Sequence, residues 1–511
     1  MMAVTRSQPS QEQLLTLVAV CLASITMPFN FTAAAVALPA IGQSFHGSAM
    51  AVNWVANAFM LTFGSCLMLA GALADSYGRK RMFAGGIAAF ALLSAALLAA
   101  PNLFVFDLLR GAQGIAAAIA FSGGMSALAQ VFDGTARMRA FSFVGCSFGI
   151  GLAFGPVAAA VMIDLFNWSI VFILLTLVAG IACFLACRYM PESRNPAANG
   201  VDWAGAVVFT WTLGVFTYAV LRVPEVGWGD AFNLALFAVA MISLLVFIRI
   251  ELRVQQPMLD LTLFKFPRFV GVQLLAAAPA YSFVVLLLLL PLRFVGVEGM
   301  PVLEAGRLMI ALSAPLLFLP IIAGSLTRWF SASVLCGVGL LVCAAGLFWL
   351  SRIPGGASAW QFALPMWTIG CGISLPWGLM DGLAVSVVPR ERAGMATGIF
   401  STTRVAGEGI AMAIVSALLS SLMANNLHQA VSSSPQRLAH VAQSVVTGDV
   451  TTATTSLQGV TYKTIAASYD TAFSDLLLLL MSITLLVALV VFLFLDKVQA
   501  GDEPRPQATA S

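Results

Sequence analysis

Charged residues are scarce in this chain. Only 9% of its 511 residues are Asp, Glu, Lys or Arg, whereas an ordinary soluble domain carries about 25%. The net charge of +3 is small and no block of like charge forms a tail, so nucleic acid is not an expected partner. The three histidines, His46, His428 and His440, are spread over polar connections instead of clustering. A metal site is therefore not expected.

Reactive cysteine and histidine arrangements are missing as well. The eight cysteines fall inside apolar runs and form no CxxC pair, which is typical of small buried hydrophobes and not of disulfides or metal ligands. No predicted span contains a histidine, and no serine has a plausible histidine partner there. The sequence thus predicts no cofactor and argues against an enzyme.

A secretory signal peptide is not recognisable either. The first 13 residues are polar, and the apolar run from Leu14 continues without a cleavage site of small residues. We expect the first helix to remain in the mature protein.

Long apolar runs are what the chain has instead. Hydrophobic residues make up 60% of it, and a membrane-spanning helix needs about 20 of them in a row. The sequence predicts an all-α integral membrane protein with fourteen spans. These spans are residues 13–41, 50–72, 83–100, 103–131, 139–163, 168–188, 203–222, 231–250, 268–290, 303–325, 332–351, 359–387, 393–424 and 472–495.

Two polar linkers divide the spans into groups of six, two and six. The linkers are Pro191–Trp203 and Glu251–Arg268, and most other connections are short, as in a bundle of antiparallel neighbours. The predicted domains are an N-terminal half at 1–198, a two-helix insert at 199–262, a C-terminal half at 263–500 and a cytoplasmic tail at 501–511.

A segment rich in Ser, Thr, Ala and Gln, at about 425–471, is predicted to lie outside the membrane as an extracytoplasmic loop. The spacing of Leu438, Val441, Val445 and Val446 indicates a short amphipathic helix within it. The composition equally fits a loosely ordered loop.

Most of the 25 lysines and arginines fall on one side of the membrane when the N-terminus is placed inside. Cytoplasmic connections carry such an excess. We expect a multi-pass protein of the plasma (inner) membrane with both termini in the cytoplasm.

The segment Gly71–Arg81, GALADSYGRKR, places an acid, two glycines and three bases between two apolar runs. Such charge is costly in lipid, so a tight connection at the membrane surface is predicted. The segment resembles the loop motif between the second and third helices of the major facilitator superfamily. The matching residues are Gly71, Leu73, Asp75, Gly78, Arg79 and Lys80.

Three further segments extend this resemblance. Residues 108–114 (LLRGAQG) resemble the fourth-helix motif, and 145–160 (GCSFGIGLAFGPVAAA) resemble the fifth-helix antiporter motif. Residues 36–39 (VALP) resemble a motif shared by fourteen-helix drug:proton antiporters of the multidrug and quaternary-ammonium exporter type. The resemblance implies the six plus two plus six fold of this superfamily, functioning as a monomer, with a small-molecule substrate, protons and the lipid bilayer as partners.

Gating residues are expected in two of these motifs. Asp75, beside Arg79 and Lys80, is predicted to latch the two halves on the cytoplasmic side. In the family, the fifth-helix element is associated with sealing the outer gate against leak. Its residues here are Gly151, Gly155 and Pro156. Ordinary close helix packing is the alternative interpretation.

Two arginines inside predicted spans require partners. Asp107 lies one turn before Arg110, and Glu408 lies one turn after Arg404. Both pairs are candidates for proton coupling, with a static ion pair as the alternative. Glu408 is the preferred proton carrier because approach or withdrawal of a guanidinium changes the proton affinity of a carboxyl. Asp381 is a further candidate, or a plain interfacial acid.

The first helix departs from the family pattern. Where drug antiporters usually carry an Asp before a Thr, this chain has Asn30, Phe31 and Thr32. Asn does not titrate near neutral pH, so either coupling has moved to another acid or the substrate is handled differently. Asn30 and Thr32 then become candidates for hydrogen bonds to substrate.

Aromatic side chains at mid-depth are candidates for an adaptable substrate cavity. They are Trp367, Trp377 and Phe400, and lipid-facing packing is the alternative for them. The family resemblance implies a proton-coupled exporter of small amphipathic compounds, drugs or metabolites, that works by alternating access. An uncoupled facilitator and a dedicated metabolite transporter stay open as alternatives, ahead of a membrane-embedded enzyme.

Overall fold

The computed structural model describes residues 10–46, 49–194, 202–226, 229–254, 259, 261–265, 267–386, 393–430, 435–446 and 462–495. Regular structure within these ranges is helical. In chain order the α-helices are α1 (Gln11–Phe45), α2 (Ala49–Tyr77), α3 (Arg79–Leu97), α4 (Leu103–Val131), α5 (Gly134–Leu165), α6 (Ser169–Tyr189), α7 (Trp203–Val226), α8 (Ala231–Glu251), α9 (Pro267–Pro279), α10 (Val285–Leu292), α11 (Val302–Ser313), α12 (Leu319–Leu326), α13 (Ala332–Ser351), α14 (Ala359–Trp377), α15 (Met380–Ser386), α16 (Ala393–Ala430), α17 (Pro435–Val446) and α18 (Tyr462–Leu495).

Fourteen spans within the described ranges are long and apolar enough to cross a membrane. Three of them consist of two consecutive helices each, α9 with α10, α11 with α12, and α14 with α15. The predicted all-α fold with fourteen membrane helices is confirmed.

Prolines lie beside the three interruptions, where the sequence predicted unbroken helices. Pro279 precedes a π-helical turn at Ala280–Val284, Pro315 lies in the 3-10 turn that separates α11 from α12, and Pro376 precedes the break after α14. Proline has no backbone N–H and its ring crowds the preceding turn, so a helix bends or breaks there.

A single residue joins α2 to α3. The predicted connection at Gly71–Arg81 is therefore mostly helical, and the predicted limits at residues 72 and 83 are wrong. Gly78 makes the turn with a φ of 108°, which residues with a Cβ rarely adopt. A Cβ on Gly78 would also lie 2.7 Å from a carboxylate oxygen of Glu192.

The amphipathic helix predicted in the polar segment at 425–471 is confirmed as α17. Its four apolar residues named above are buried, and α17 packs on α16. The segment is shorter than expected because α16 continues to Ala430 and α18 begins at Tyr462. Residues 447–461 lie outside the described ranges.

Helix packing follows the predicted order of six, two and six. In a first bundle, α1 to α6, α1 packs on α5 and α6 while α2 and α3 pack on α4. In a second bundle, α9 to α16 with α18, α13 packs on α14 and α18, and α16 packs on α18. Helices α7 and α8 pack on each other, and α7 contacts α2 and α16. The domain limits at 198–199 and 262–263 stay predictions.

Candidate transport site

The two bundles meet along the first half of α5. Ser142 of α5 donates a 2.5 Å hydrogen bond to the carbonyl of Gly378, and the Cys146 thiol lies 3.2 Å from the carbonyl of Leu316. Gly145 lies against the Trp377 carbonyl, leaving no room for a side chain. This part of α5 is at the same end of the bundles as the α2–α3 turn, since α4 returns to that end before α5 begins. The bundles are therefore in contact at that end.

Arg404 of α16 forms a buried ion pair with Asp381 of α15. Its Nη1 lies 3.2 Å from Asp381 Oδ2 and 3.3 Å from Oδ1, and the two residues are 0% and 4% exposed. The guanidinium carbon lies 4.5 Å from the ring centre of Phe148 in the first bundle. Nε and Nη2 of Arg404 have no hydrogen-bond partner among the described residues.

The structure thus corrects the expected pairing of Arg404 with Glu408. One helical turn brings the two residues near each other, but the long arginine side chain reaches the neighbouring helix, where Asp381 offers both carboxylate oxygens. Asp381 is accordingly the buried ion-pair partner of Arg404, and its role in proton coupling stays a prediction.

Glu408 faces a cavity between the bundles. The cavity has a volume of about 20 Å³, which is room for one water molecule. Glu408 is 6% exposed, and its Oε1 has no hydrogen-bond partner in the described part of the chain. The walls are otherwise uncharged and come from α1, α2, α5 and α16. They are Met27, Pro28, Phe31, Phe59, Met60, Phe63, Phe148, Leu152 and Val405.

Arg110 of α4 is held by neutral oxygens inside the first bundle. Nη1 donates to Asn30 Oδ1 and to Gln113 Oε1, both at 2.6 Å, and Nε donates to the Val55 carbonyl at 2.7 Å. Arg110 is fully buried, and its guanidinium carbon lies 4.8 Å from the ring centre of Phe59.

The predicted ion pair of Arg110 with Asp107 is not formed. Asp107 is half-buried, and its Oδ1 has no hydrogen-bond partner among the described residues. Arg110 binds instead to acceptors on α1, α2 and its own helix, which surround it on the inner side of α4.

Asn30 and Thr32 form hydrogen bonds with other groups of the protein. Asn30 is fully buried and donates from Nδ2 to Gln113 Oε1 at 3.3 Å, besides accepting from Arg110. Thr32 Oγ1 lies 3.0 Å from the Pro28 carbonyl and 3.3 Å from that of Gly151 on α5. The first-helix residues that line the cavity are their neighbours Met27, Pro28 and Phe31.

The three candidate aromatic residues lie in different surroundings. Trp377 is fully buried beside Phe148, with 6.4 Å between ring centres, and Phe400 lies under the Arg404 guanidinium at 5.6 Å. Trp367 is 40% exposed and shares the outer face of α14 with Trp360 and Leu364. Trp367 therefore faces away from the bundle contact, and none of the three predicted aromatic residues is among those that line the cavity.

The α2–α3 turn is tied to the end of α6. Asp75 Oδ1 accepts from Arg79 Nη2 at 2.7 Å, and both residues are buried, as is Gly71. The backbone N–H of Arg79 donates to the Ser193 carbonyl at 2.9 Å, and that of Lys80 donates to Glu192 Oε1 at 3.2 Å. These bonds join parts of the first bundle.

The α5 glycines contact two different partners. Gly151 lies against the Ile25 carbonyl and Gly155 against Thr32 Oγ1, so this pair brings α5 close to α1. Gly145 and Gly149 contact the second bundle instead. Pro156 lies within α5 directly after Gly155 and is half-buried. A gating role for these residues stays a prediction.

Sequence reasoning missed part of the site. Gln113 lies within the LLRGAQG motif, and its spacing of i and i+3 from Arg110 is a signal from which their contact could have been predicted. The phenylalanines of α2 and α5 that line the cavity have no local signal that separates them from lipid-facing residues.

Comparison with known proteins places the chain in a family. Residues 20–412 match the family model of the Major Facilitator Superfamily. The Multidrug resistance protein Stp of Mycobacterium tuberculosis (strain CDC 1551 / Oshkosh) is 29% identical over 443 residues, which cover 86% of this chain and 82% of that protein. The Tetracenomycin C resistance and export protein of Streptomyces glaucescens is 25% identical, with coverage of 80% and 76%. The Multidrug efflux pump LfrA of Mycolicibacterium smegmatis is 24% identical, with coverage of 83% and 86%.

A solved structure shares the fold. The human organic anion transporter MFSD10 (TETRAN) superposes with a TM-score of 0.59 over 93% of this chain and 100% of that one, at 14% sequence identity. The resemblance drawn from the motifs is confirmed, and the names of the relatives support its drug-exporter type. The chain belongs to the Major Facilitator Superfamily and is a multi-pass membrane transporter.

Proposed function

We propose that the protein exports small amphipathic compounds, drugs or metabolites, in exchange for protons by alternating access of its two bundles. The observation that carries the proposal is Glu408, a buried carboxyl without a hydrogen-bond partner for Oε1, in an aromatic and methionine-lined cavity between the bundles. The export and resistance functions named for the relatives support the direction of transport.

The cavity chemistry supports exchange at one site. An ionised carboxylate is poorly stabilised where the other walls are apolar, so it takes up a proton when water is excluded. When the bundles separate and the cavity widens, a substrate that enters with its apolar part against Phe31, Phe59 and Phe148 would place its polar group near Glu408. The proton and the substrate then compete for one carboxyl, which couples their movements.

Alternating access requires the bundles to separate at one end while they close at the other. Their contact along the first half of α5 closes the end that carries the α2–α3 turn. The excess of basic residues on that side supports a cytoplasmic position for it. Asp75 and Arg79 would act at that end by stabilising the last turn of α2 through their ion pair. Gly151, Gly155 and Pro156 would let α5 move against α1 without loss of contact.

An uncoupled facilitator is the second candidate. Asn30 supports it, because this residue holds Arg110 by a neutral amide and supplies no proton in the first helix. The two candidates differ in whether a pH gradient drives accumulation.

Transport into proteoliposomes tests the proposal. A compound is first chosen by screening amphipathic dyes and antibiotics for export from cells that produce the protein. We expect wild-type protein to concentrate this compound under an imposed pH gradient. Glu408→Gln, which is nearly isosteric but cannot titrate, should abolish the accumulation and retain binding and gradient-independent exchange.

Asp107→Asn is the matched control, because it removes a carboxyl from α4 that lies apart from the cavity, and it should pump normally. Accumulation by Glu408→Gln together with failure of Asp107→Asn would assign the proton to the other acid. If wild-type protein only equilibrates the compound, the facilitator is the correct function.

A further inference from the structure

One face of α16 carries a row of buried polar side chains. Thr397, Ser401, Arg404 and Glu408 are 2%, 0%, 0% and 6% exposed. At 3.6 residues per turn these positions fall within about 60° of one another around the helix. Each of the four has at least one buried polar atom without a hydrogen-bond partner among the described residues.

The hydroxyls of this row differ from most serines and threonines in the helices. A helical hydroxyl usually donates to the carbonyl four residues earlier, as Thr403 of α16 does to Ile399 at 3.0 Å and Ser374 of α14 does to Gly370 at 2.6 Å. Thr397 and Ser401 have no such bond. Buried polar groups in proteins are satisfied by protein or by ordered water, so this face is suited to binding water.

The row leads from the cavity to one end of the bundles. Thr397 and Glu408 are about 17 Å apart along the axis at a rise of 1.5 Å per residue, roughly half the thickness of the apolar layer of a membrane. Thr397 lies about one turn from the start of α16. Its neighbour Gly398 contacts Met68 of α2, in the half of α2 that ends at the α2–α3 turn.

Arg404 lies in the middle of the row, where an unpaired cation would repel protons. Asp381, 3.2 Å away, compensates that charge. Arg404 is also the charged group whose field acts on Glu408, since the cavity walls from α1, α2 and α5 carry no charge.

We propose that, when the bundles separate at the end that carries the α2–α3 turn, this face of α16 holds a file of water molecules that conducts protons between Glu408 and that end. The Glu408 carboxyl releases its proton to the first water and becomes a carboxylate. Each water then accepts one proton and passes one on, past the Arg404–Asp381 pair and along Ser401 and Thr397, without any redox step. This pathway rests on the proposed proton coupling at Glu408.

The test removes the two hydroxyls and keeps the shape of the helix. In the double variant Thr397→Val, Ser401→Ala, we expect accumulation driven by a pH gradient to slow about tenfold, a barrier increase of about 1.4 kcal/mol. Binding and gradient-independent exchange of the same screened compound should stay at the wild-type level. Proton movement then limits the rate, so replacing water by D₂O should slow the variant more than the wild type.

Thr402→Val is the control, because Thr402 is also buried and its hydroxyl also lacks a partner, but it lies on another face of α16. A wild-type rate in the double variant would overturn the pathway, as would an equal slowing by Thr402→Val or a parallel loss of exchange. The Glu408→Gln result decides the proton coupling itself independently, so failure of the pathway and failure of the coupling are distinguishable.

Discussion

Arg110 in the first bundle and Arg404 in the second are both 0% exposed, and they are stabilised in opposite ways. Arg110 in α4 binds only neutral oxygens, from Asn30, Gln113 and the Val55 carbonyl. Arg404 in α16 binds the Asp381 carboxylate, with a second carboxyl, Glu408, one turn away. Both guanidinium groups also lie over phenylalanine rings.

The two arginines differ in whether the groups bonded to them can change charge. Amide and backbone oxygens neither take up nor release protons near neutral pH, so the three acceptors bonded to Arg110 keep a fixed charge. The carboxyl of Asp107, one turn away, is half-buried and is not bonded to Arg110. Around Arg404 two carboxyl groups can titrate. The comparison supports the placement of proton coupling in the second bundle and a positioning role for Arg110, which ties α1, α2 and α4 together.

The largest effect is expected from breaking the ion pair. Asp381→Leu leaves the Arg404 charge buried without a counter-ion, which costs about 3–5 kcal/mol of folding free energy. Unfolding in detergent, followed by tryptophan fluorescence, measures this loss. In the double variant Asp381→Leu, Arg404→Met most of the stability should return without transport. If Asp381→Leu alone were as stable as the wild type, the ion pair would not contribute to the stability of the site.

A smaller effect is expected at the neutral site. Asn30→Leu removes one of three acceptors, and Arg110 keeps the other two, so the expected loss is about 1–3 kcal/mol in the same unfolding assay. Asn30→Asp retains the acceptor and should be at least as stable as the wild type. If Asn30→Leu were as damaging as Asp381→Leu, the contrast between the two arginines would disappear.

The smallest effect is expected outside both sites. Trp367→Leu changes a side chain on the outer face of α14, so stability should stay within about 0.5 kcal/mol of the wild type, with unchanged transport. Trp377→Leu, which empties space beside Phe148 and therefore next to Arg404, should impair both. Equal stability and transport of the two variants would show that Trp367 is as important to the site as Trp377.

The fold was predictable because its signal is local. A run of apolar residues has to become a span. The spacing of Leu438 and Val441 indicated α17, although the composition of that segment fitted a loop equally well. The predicted ends of α2 and α3 near Asp75 were wrong because charged residues were expected to end a helix. Asp75 and Arg79 instead form a buried ion pair, so α2 continues past Asp75.

The site was less predictable because its contacts are between helices. Spacing on one helix suggested Asp107 for Arg110 and Glu408 for Arg404, but an arginine side chain is long enough to choose an acceptor on a neighbouring helix. Trp367 was misplaced because depth in a span does not give rotation about its axis. Its spacing from Trp360 and Leu364, at seven and three residues, carried that information.

The positions of the acceptors of Arg110 and Arg404 in the sequence have a consequence for biogenesis. An arginine at the centre of a single inserting helix costs about 2.5–3.5 kcal/mol at the translocon. Asn30 and Val55 are synthesised before Arg110, and Asp381 precedes Arg404 by 23 residues. Each cation thus reaches the bilayer after a helix that carries an acceptor for it, so this acceptor is available to offset the cost of inserting α4 or α16.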